Sequence, residues 1–187
     1  MARTKAYNEL EVLDKAMNLF WRNGFESTSM QMLEKEMGIN KFSIYSSFGS
    51  KNGLFIQSIK NYKIKLSKVL SVLKNSNNGL VGLKQYFYDF IEFSKENEAF
   101  RGCLVTNTSN ELNAGADPKI VAQLQAFIGE VKSTFENNLK QESQLDPATV
   151  AQYTDYLVIS MFGIASASRV FDQQQLSSQI EMTFKNL

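Results

Sequence analysis

FESTSMQMLEKEMGINKFSIYSSFGSKNGLF, residues 25–55, decides the fold. Thr28 or Ser27 suits a helix N-cap, and Gln31 follows Thr28 at the spacing of a capping box. A first short helix therefore runs from about Thr28 to Met37. Gly38 supplies the turn, since glycine reaches the left-handed conformation without a Cβ penalty. Asn40 caps a second helix over Lys41–Phe48, and Ser50 caps a third that opens on Lys51. The layout is helix, tight turn, helix, which is that of a helix-turn-helix.

The rest of the chain also reads as helix. Leu10, Leu13, Met17, Phe20 and Trp21 recur at steps of three and four across Asn8–Asn23, and Gly24 ends the run. Leu54, Phe55, Ile59, Tyr62, Leu66, Val69, Leu70 and Leu73 form an apolar stripe along Lys51–Lys74. NSNNG at 75–79 breaks the pattern. Further helices are expected near 80–97, 102–113, 117–142, 147–170 and 173–186. Asp117 before Pro118 and Asp146 before Pro147 each pair an N-cap acid with a first-turn proline. The expected fold class is all-α: an N-terminal three-helix helix-turn-helix domain and a larger C-terminal helical domain. The expected division is 1–50, a connecting helix 51–74, and 75–187.

Composition narrows the chemistry. The 187 residues contain no histidine and a single cysteine, with a hydrophobic share of 43%. Without histidine, Ser-His and Cys-His catalysis are excluded. No carboxylate pattern suggests a metal loop, so no enzyme, cofactor or metal is expected. One cysteine builds no internal disulfide, which favours a reducing, cytoplasmic setting. MARTKAYNELEV at the start lacks a hydrophobic signal region, and no run is long enough to span a membrane.

The net charge of +1 conceals an asymmetry. Residues 1–36 carry −1, residues 37–88 carry eight lysines and no acid, and residues 89–187 carry −6. A basic block on the second helix of the reader and the helix after it suits a polyanion such as double-stranded DNA. Read alone, the same block is also a solvated lysine face, or a basic helix lying on a membrane surface.

A groove reader needs one packed side and one polar side. Ile44 and Phe48 suit the packed side. Lys41, Phe42, Ser43, Tyr45, Ser46 and Ser47 then face outward. Lysine and serine donate to base edges or phosphates, Tyr45 to a phosphate, and Phe42 can meet a thymine methyl. Thr28, with the backbone donors around it, and Lys51 are further phosphate candidates. Tyr45 has an alternative reading as core, Thr28 as an ordinary cap and Lys51 as an ordinary surface lysine.

Residues from Val12 to Phe55 resemble the N-terminal DNA-binding domain of TetR/AcrR-type transcriptional regulators. The motif A-x-x-L-F-x-x-x-G-F-x-x-T-S stands at Ala16–Ser29, and G-I-x-K-x-S-I-Y-x-x-F-G-S-K at Gly38–Lys51. The resemblance implies that Thr28, Lys41, Ser43, Tyr45 and Lys51 meet DNA. It also implies that Trp21, Phe25, Leu33, Ile39, Ile44 and Phe48 form the small domain's core. Phe42, Met32 and Glu34 depart from the usual pattern. RGCLVTNTSNEL at 101–112 resembles the G-C-L-x-x-N-T-x-x-E-L stretch of one TetR-type subgroup. It implies a helical ligand-sensing and dimerisation domain, hence a small-molecule effector and a homodimer.

Within that domain, Cys103 is a candidate electrophile or oxidant sensor: it follows Gly102 near a helix start, with Arg101 close by. It reads equally as a small buried apolar residue. Tyr86, Phe87, Tyr88, Phe90, Phe93, Phe100, Phe127 and Tyr153 are candidates to line a cavity or to fill a core. Asn107 and Glu111 lie one helical turn apart and either orient a ligand or face solvent. Tyr156, Ser160, Gly163 and Ala167 mark a close-packing face for a helix pair between protomers. The expected function is a one-component regulator, a repressor released from a palindromic operator by a ligand or by modification of Cys103. An activator of the same fold is the alternative.

Overall fold

Polar side chains cap most of the helix starts, and the computed structural model places nine helices among the described residues, which are 7–96, 99–185 and 187. Glu96, Ala99 and Phe100 are described in backbone only, so the Phe100 side chain lies outside the described residues, as does the segment 1–6. The helices are α1 (Glu9–Asn23), α2 (Met30–Met37), α3 (Lys41–Phe48), α4 (Lys51–Lys74), α5 (Gly79–Ser94), α6 (Leu104–Glu111), α7 (Pro118–Leu139), α8 (Pro147–Ala167) and α9 (Gln173–Phe184). The fold is all-α, with an N-terminal helix-turn-helix domain and a larger C-terminal helical domain.

The caps follow sequence chemistry closely. Asn40 Oδ1 accepts from Ser43 N at 2.9 Å, and Ser50 Oγ from Gly53 N at 2.9 Å. Asp117 and Asp146 cap α7 and α8 ahead of their prolines. Gly38 closes α2 at φ +69. One cap differs from expectation. Ser29, rather than Ser27 or Thr28, caps α2 and accepts from Met32 N at 3.2 Å. The Thr28 hydroxyl donates back to Gly24 O at 2.6 Å instead.

A second difference lies after α5. The helix stops at Ser94, short of the expected 97, and a two-residue antiparallel pair follows, Lys95 opposite Phe100 and Glu96 opposite Ala99. Arg101 N then donates to Ser94 O at 3.0 Å, which returns the chain to the end of α5.

One apolar cluster runs from Val12 on α1 to Ile180 on α9. Helix α4 joins the two domains. It packs on α1 and α3 at its start, and on α5 and α7 further along. At the first contact Phe55 lies 4.8 Å from Phe20 and 4.6 Å from Phe25, centroid to centroid. At the second, Tyr62 meets Trp21 edge-on at 5.0 Å, and Phe93 at 5.7 Å. The predicted core residues Leu33 and Ile44 are buried, and Ile39, Phe25 and Phe48 are half-buried against them. No helix among the described residues is long and apolar enough to cross a membrane.

Candidate nucleic-acid interface and sensor cavity

Helix α3 has a packed side and an open side. Ile44 is fully buried, while Phe42 is 80% and Tyr45 41% exposed. Tyr45 is therefore a surface residue and not a core tyrosine. Lys41, Phe42, Tyr45 and Ser46 share the open side, and the Lys41 ammonium lies 5.7 Å from the Tyr45 ring centroid. Ser43 is half-buried.

Three contacts fix the helix from outside. Asn40 caps it. Glu34 on α2 accepts from the Lys41 backbone N–H, so the departure from the family pattern at Glu34 secures the start of α3. Tyr7, just ahead of the α1 cap Asn8, bonds Ser47 Oγ at 2.7 Å and donates to Ser43 O at 3.4 Å. Sequence reasoning missed both Glu34 and Tyr7 as supports. Only an aromatic next to a cap residue hinted at Tyr7.

Two phosphate candidates are placed differently from expectation. Thr28 is fully buried and its hydroxyl is engaged with Gly24 O, so the exposed hydroxyl at this helix start is that of Ser29. Lys51 lies over the Phe25 ring, its ammonium 4.4 Å from the centroid and 3.5 Å from Glu26 O. Partial burial pulls the Lys51 ammonium below the usual lysine range, and the charges of Glu26 and Glu111 offset this in part. In this structure it faces the α1–α2 connection.

The sensor candidates separate into two groups. Tyr86, Phe90, Cys103 and Phe127 come together, with Thr106, Met161 and Ala165, around a cavity of about 20 Å³. That volume holds about one water molecule, so the site is a nearly filled apolar core. Cys103 is 4% exposed and sits at the N-cap of α6. The Tyr62 hydroxyl donates to its Sγ at 3.3 Å. Burial, and secondarily Cys103, pushes the phenols of Tyr62 and Tyr86 up, so both remain neutral. The neighbouring Arg101 guanidinium lies 5.2 Å over Trp21 and donates to Asn18 Oδ1 at 3.2 Å.

Asn107, Glu111 and Tyr153 do not line this cavity. Asn107 is buried, and its Nδ2 donates to Arg101 O at 3.0 Å, closing the turn that carries Cys103. Tyr153 is half-buried on α8. Glu111 lies at the far end of α6, where a cleft of about 250 Å³ separates the two domains and is lined also by Phe25, Glu26, Asn52, Phe55 and Asp117. Asn107 and Glu111 both bond to loop backbone, and sequence spacing cannot show such partners.

Elsewhere, Ser160, Gly163 and Ala167 of α8 line an open groove of about 400 Å³ with Phe171, Leu176 and Gln179. Tyr156 and Ile159, earlier on α8, are exposed, as is Met182 of α9.

Residues 12–57 match the family model for bacterial regulatory proteins, tetR family. The chain is 24% identical over 184 residues to YezE, an HTH-type transcriptional regulator of Bacillus subtilis strain 168, covering 94% of each chain. It is 25% identical over 129 residues to IcaR of Staphylococcus aureus strain Newman, the negative regulator of the biofilm operon icaADBC, covering 68% of this chain and 69% of IcaR. The backbone superposes with a TM-score of 0.88, at 21% identity and 98% coverage of both chains, on a cysteine-substituted form of the TetR-family regulator CifR bound to 26-bp operator DNA. Residues 12–57 thus form a DNA-binding domain of the tetR-family type, and the whole chain has the fold of the TetR-type transcriptional regulators that it resembles.

Proposed function

We propose that this protein is a one-component repressor that binds a palindromic double-stranded operator as a homodimer and leaves it when the C-terminal domain takes up a small effector or when Cys103 is modified. The observation that carries the reading is α3: an eight-residue helix held from three sides, with Lys41, Phe42, Tyr45 and Ser46 on its open face. One such helix buries little surface. Two of them, spaced by about 34–36 Å, match successive major grooves of one duplex face. The groove on α8 and α9, with Tyr156, Ser160, Gly163 and Ala167, suits a second copy of the same helices. IcaR is a negative regulator and CifR is seen on operator DNA, which supports the same role here. In this reading residues 1–50 read DNA, α4 over 51–74 transmits, and 75–187 sense and dimerise.

Lys41 supplies the open face with its charge. Lys41→Ala weakens binding to all duplexes alike and lowers the slope of log K against log salt by about 0.9, one phosphate contact. Lys51→Ala leaves the slope near the parent value, because its ammonium is held over Phe25. Titrations at several salt concentrations measure both, and an unchanged slope for Lys41→Ala refutes its phosphate contact.

The modification arm rests on space. A thiol adding across the double bond of a maleimide forms an S–C bond, and its proton ends on the adjacent carbon. The cavity beside Cys103 cannot hold such an adduct, so the helices around it must separate. The test is an electrophoretic mobility shift with DNA from upstream of this protein's own gene, at near-physiological salt, with and without N-ethylmaleimide. A shift abolished by the reagent in the parent and kept in Cys103→Ser supports a repressor with a thiol switch. A shift that the reagent leaves intact removes the thiol from the mechanism and keeps the non-covalent effector. Reporter expression that falls when the gene is deleted makes the protein an activator instead.

A further inference from the structure

Helix α6 is tied to α1 and to the connection after it at both of its ends. At the first end, Trp21 Nε1 donates to Gly102 O at 3.1 Å, immediately before Cys103. At the second, about 12 Å along an eight-residue helix, one carboxylate oxygen of Glu111 accepts from two consecutive backbone donors of the reader domain. These are Phe25 N at 2.8 Å and Glu26 N at 3.1 Å. Both N–H groups lie just past the α1 C-cap, where the helix ladder has ended and the chain turns toward α2. The Phe25 N–H is half-buried and needs a partner, and the other domain supplies it; the Glu26 N–H beside it is exposed.

The fit is specific. Gly24, at φ +84, leaves the space that the carboxylate uses: a Cβ there would lie 2.1 Å from Glu111 Oε1. The Thr28 hydroxyl braces the same peptide from below through Gly24 O, and the Lys51 ammonium covers the Phe25 ring beside it. Asn52 Nδ2 donates to Asp117 Oδ2 at 3.0 Å, a second bond across the same cleft. The connection between α1 and α2 therefore does not take its shape from the reader domain alone.

We infer that Glu111 is a positioning residue for DNA reading: its carboxylate fixes the Gly24–Glu26 connection, and through it the angle of α2 and α3 to α4. The inference rests on the operator reading proposed above. Hydrogen bonds to a charged acceptor are the stronger kind, so their loss is felt at a distance from the DNA. Glu111 lies in the interdomain cleft and not on the α3 face that carries Lys41, which separates the two in what an experiment reads.

The test compares parent, Glu111→Ala and Glu111→Gln on the operator fragment, with amide hydrogen exchange on the free proteins. Glu111→Ala is expected to weaken operator binding by about tenfold at an unchanged salt slope. Glu111→Gln, which keeps one oxygen toward the two donors, is expected to lie between it and the parent. The Phe25 and Glu26 amides exchange faster in Glu111→Ala, while those inside α1 and α4 stay protected. Parent-like affinity for Glu111→Ala overturns the inference. So does faster exchange spread evenly through α1 and α4, which marks a general loss of stability. If the parent binds no DNA, the operator reading fails, and exchange confined to Phe25 and Glu26 still upholds the latch.

Discussion

Gly163→Arg gives a folded monomer whose operator binding is weaker by about 100-fold or more. The reasons are geometric. Gly163 is exposed on α8, and a Cβ built there meets nothing within 4 Å, so the arginine has room in the isolated protomer. Replacing glycine inside a helix also favours the helix by about 0.5–1 kcal/mol. Thermal stability of the single protomer therefore holds or rises. Gly163 lies in the groove with Ser160 and Ala167, and in the dimer proposed above the close approach of two helices there would leave no space for a long cationic side chain. Two reading helices on one duplex bind more tightly than one by factors of about 10²–10⁴, because the second contact is made at high effective concentration. Sedimentation should show a species of 21.2 kDa for the variant against twice that for the parent. A variant that remains dimeric with parent-like affinity moves the interface elsewhere.

Small residues at 160, 163 and 167 repeat at helical spacing, and in the structure they line one groove. Local signals of this kind held well along the chain. Asn40, Ser50, Asp117 and Asp146 were read as caps from their neighbours alone, and they are caps. The failure at α2 shows the limit. Ser27, Thr28 and Ser29 are all good capping residues, and local chemistry does not rank them. Tertiary burial does: Thr28 is drawn under Gly24, and Ser29 is left to cap. The candidate site divides in the same way. The open face of α3 was readable because its apolar positions are few and four apart. Of the sensor candidates, Cys103, Tyr86, Phe90 and Phe127 share one site and Asn107, Glu111 and Tyr153 do not; whether the four enclose space is a matter of volumes, and the answer is about 20 Å³. Asn107 and Glu111 were set together by spacing, yet each spends its polar group on a backbone that spacing cannot see.

The second large effect is expected on stability. Phe55→Ala should destabilise the protein by about 3–5 kcal/mol, the usual range for truncating a buried phenylalanine. Phe55 is fully buried on α4 and packs on Phe20 of α1 and on Phe25 of the α1–α2 connection. Its removal leaves a void beside the interdomain cleft, which Phe55 also lines. The neighbours are rings on two different elements, so collapse into the void requires α1 to move against α4. The measurement is denaturant unfolding, read as a lower midpoint at an unchanged slope. A midpoint within experimental error of the parent would show that the site can collapse at little cost. The consequence for regulation follows from the same packing. Since Phe55 and Phe25 hold the reader to α4, and Glu111 holds it to α6, a displacement of α6 or α4 cannot leave α3 where it was. In the switch proposed above, expansion around Cys103 would press on the N-terminus of α6 and on Tyr62 of α4, so both routes to the reader would start at one cavity.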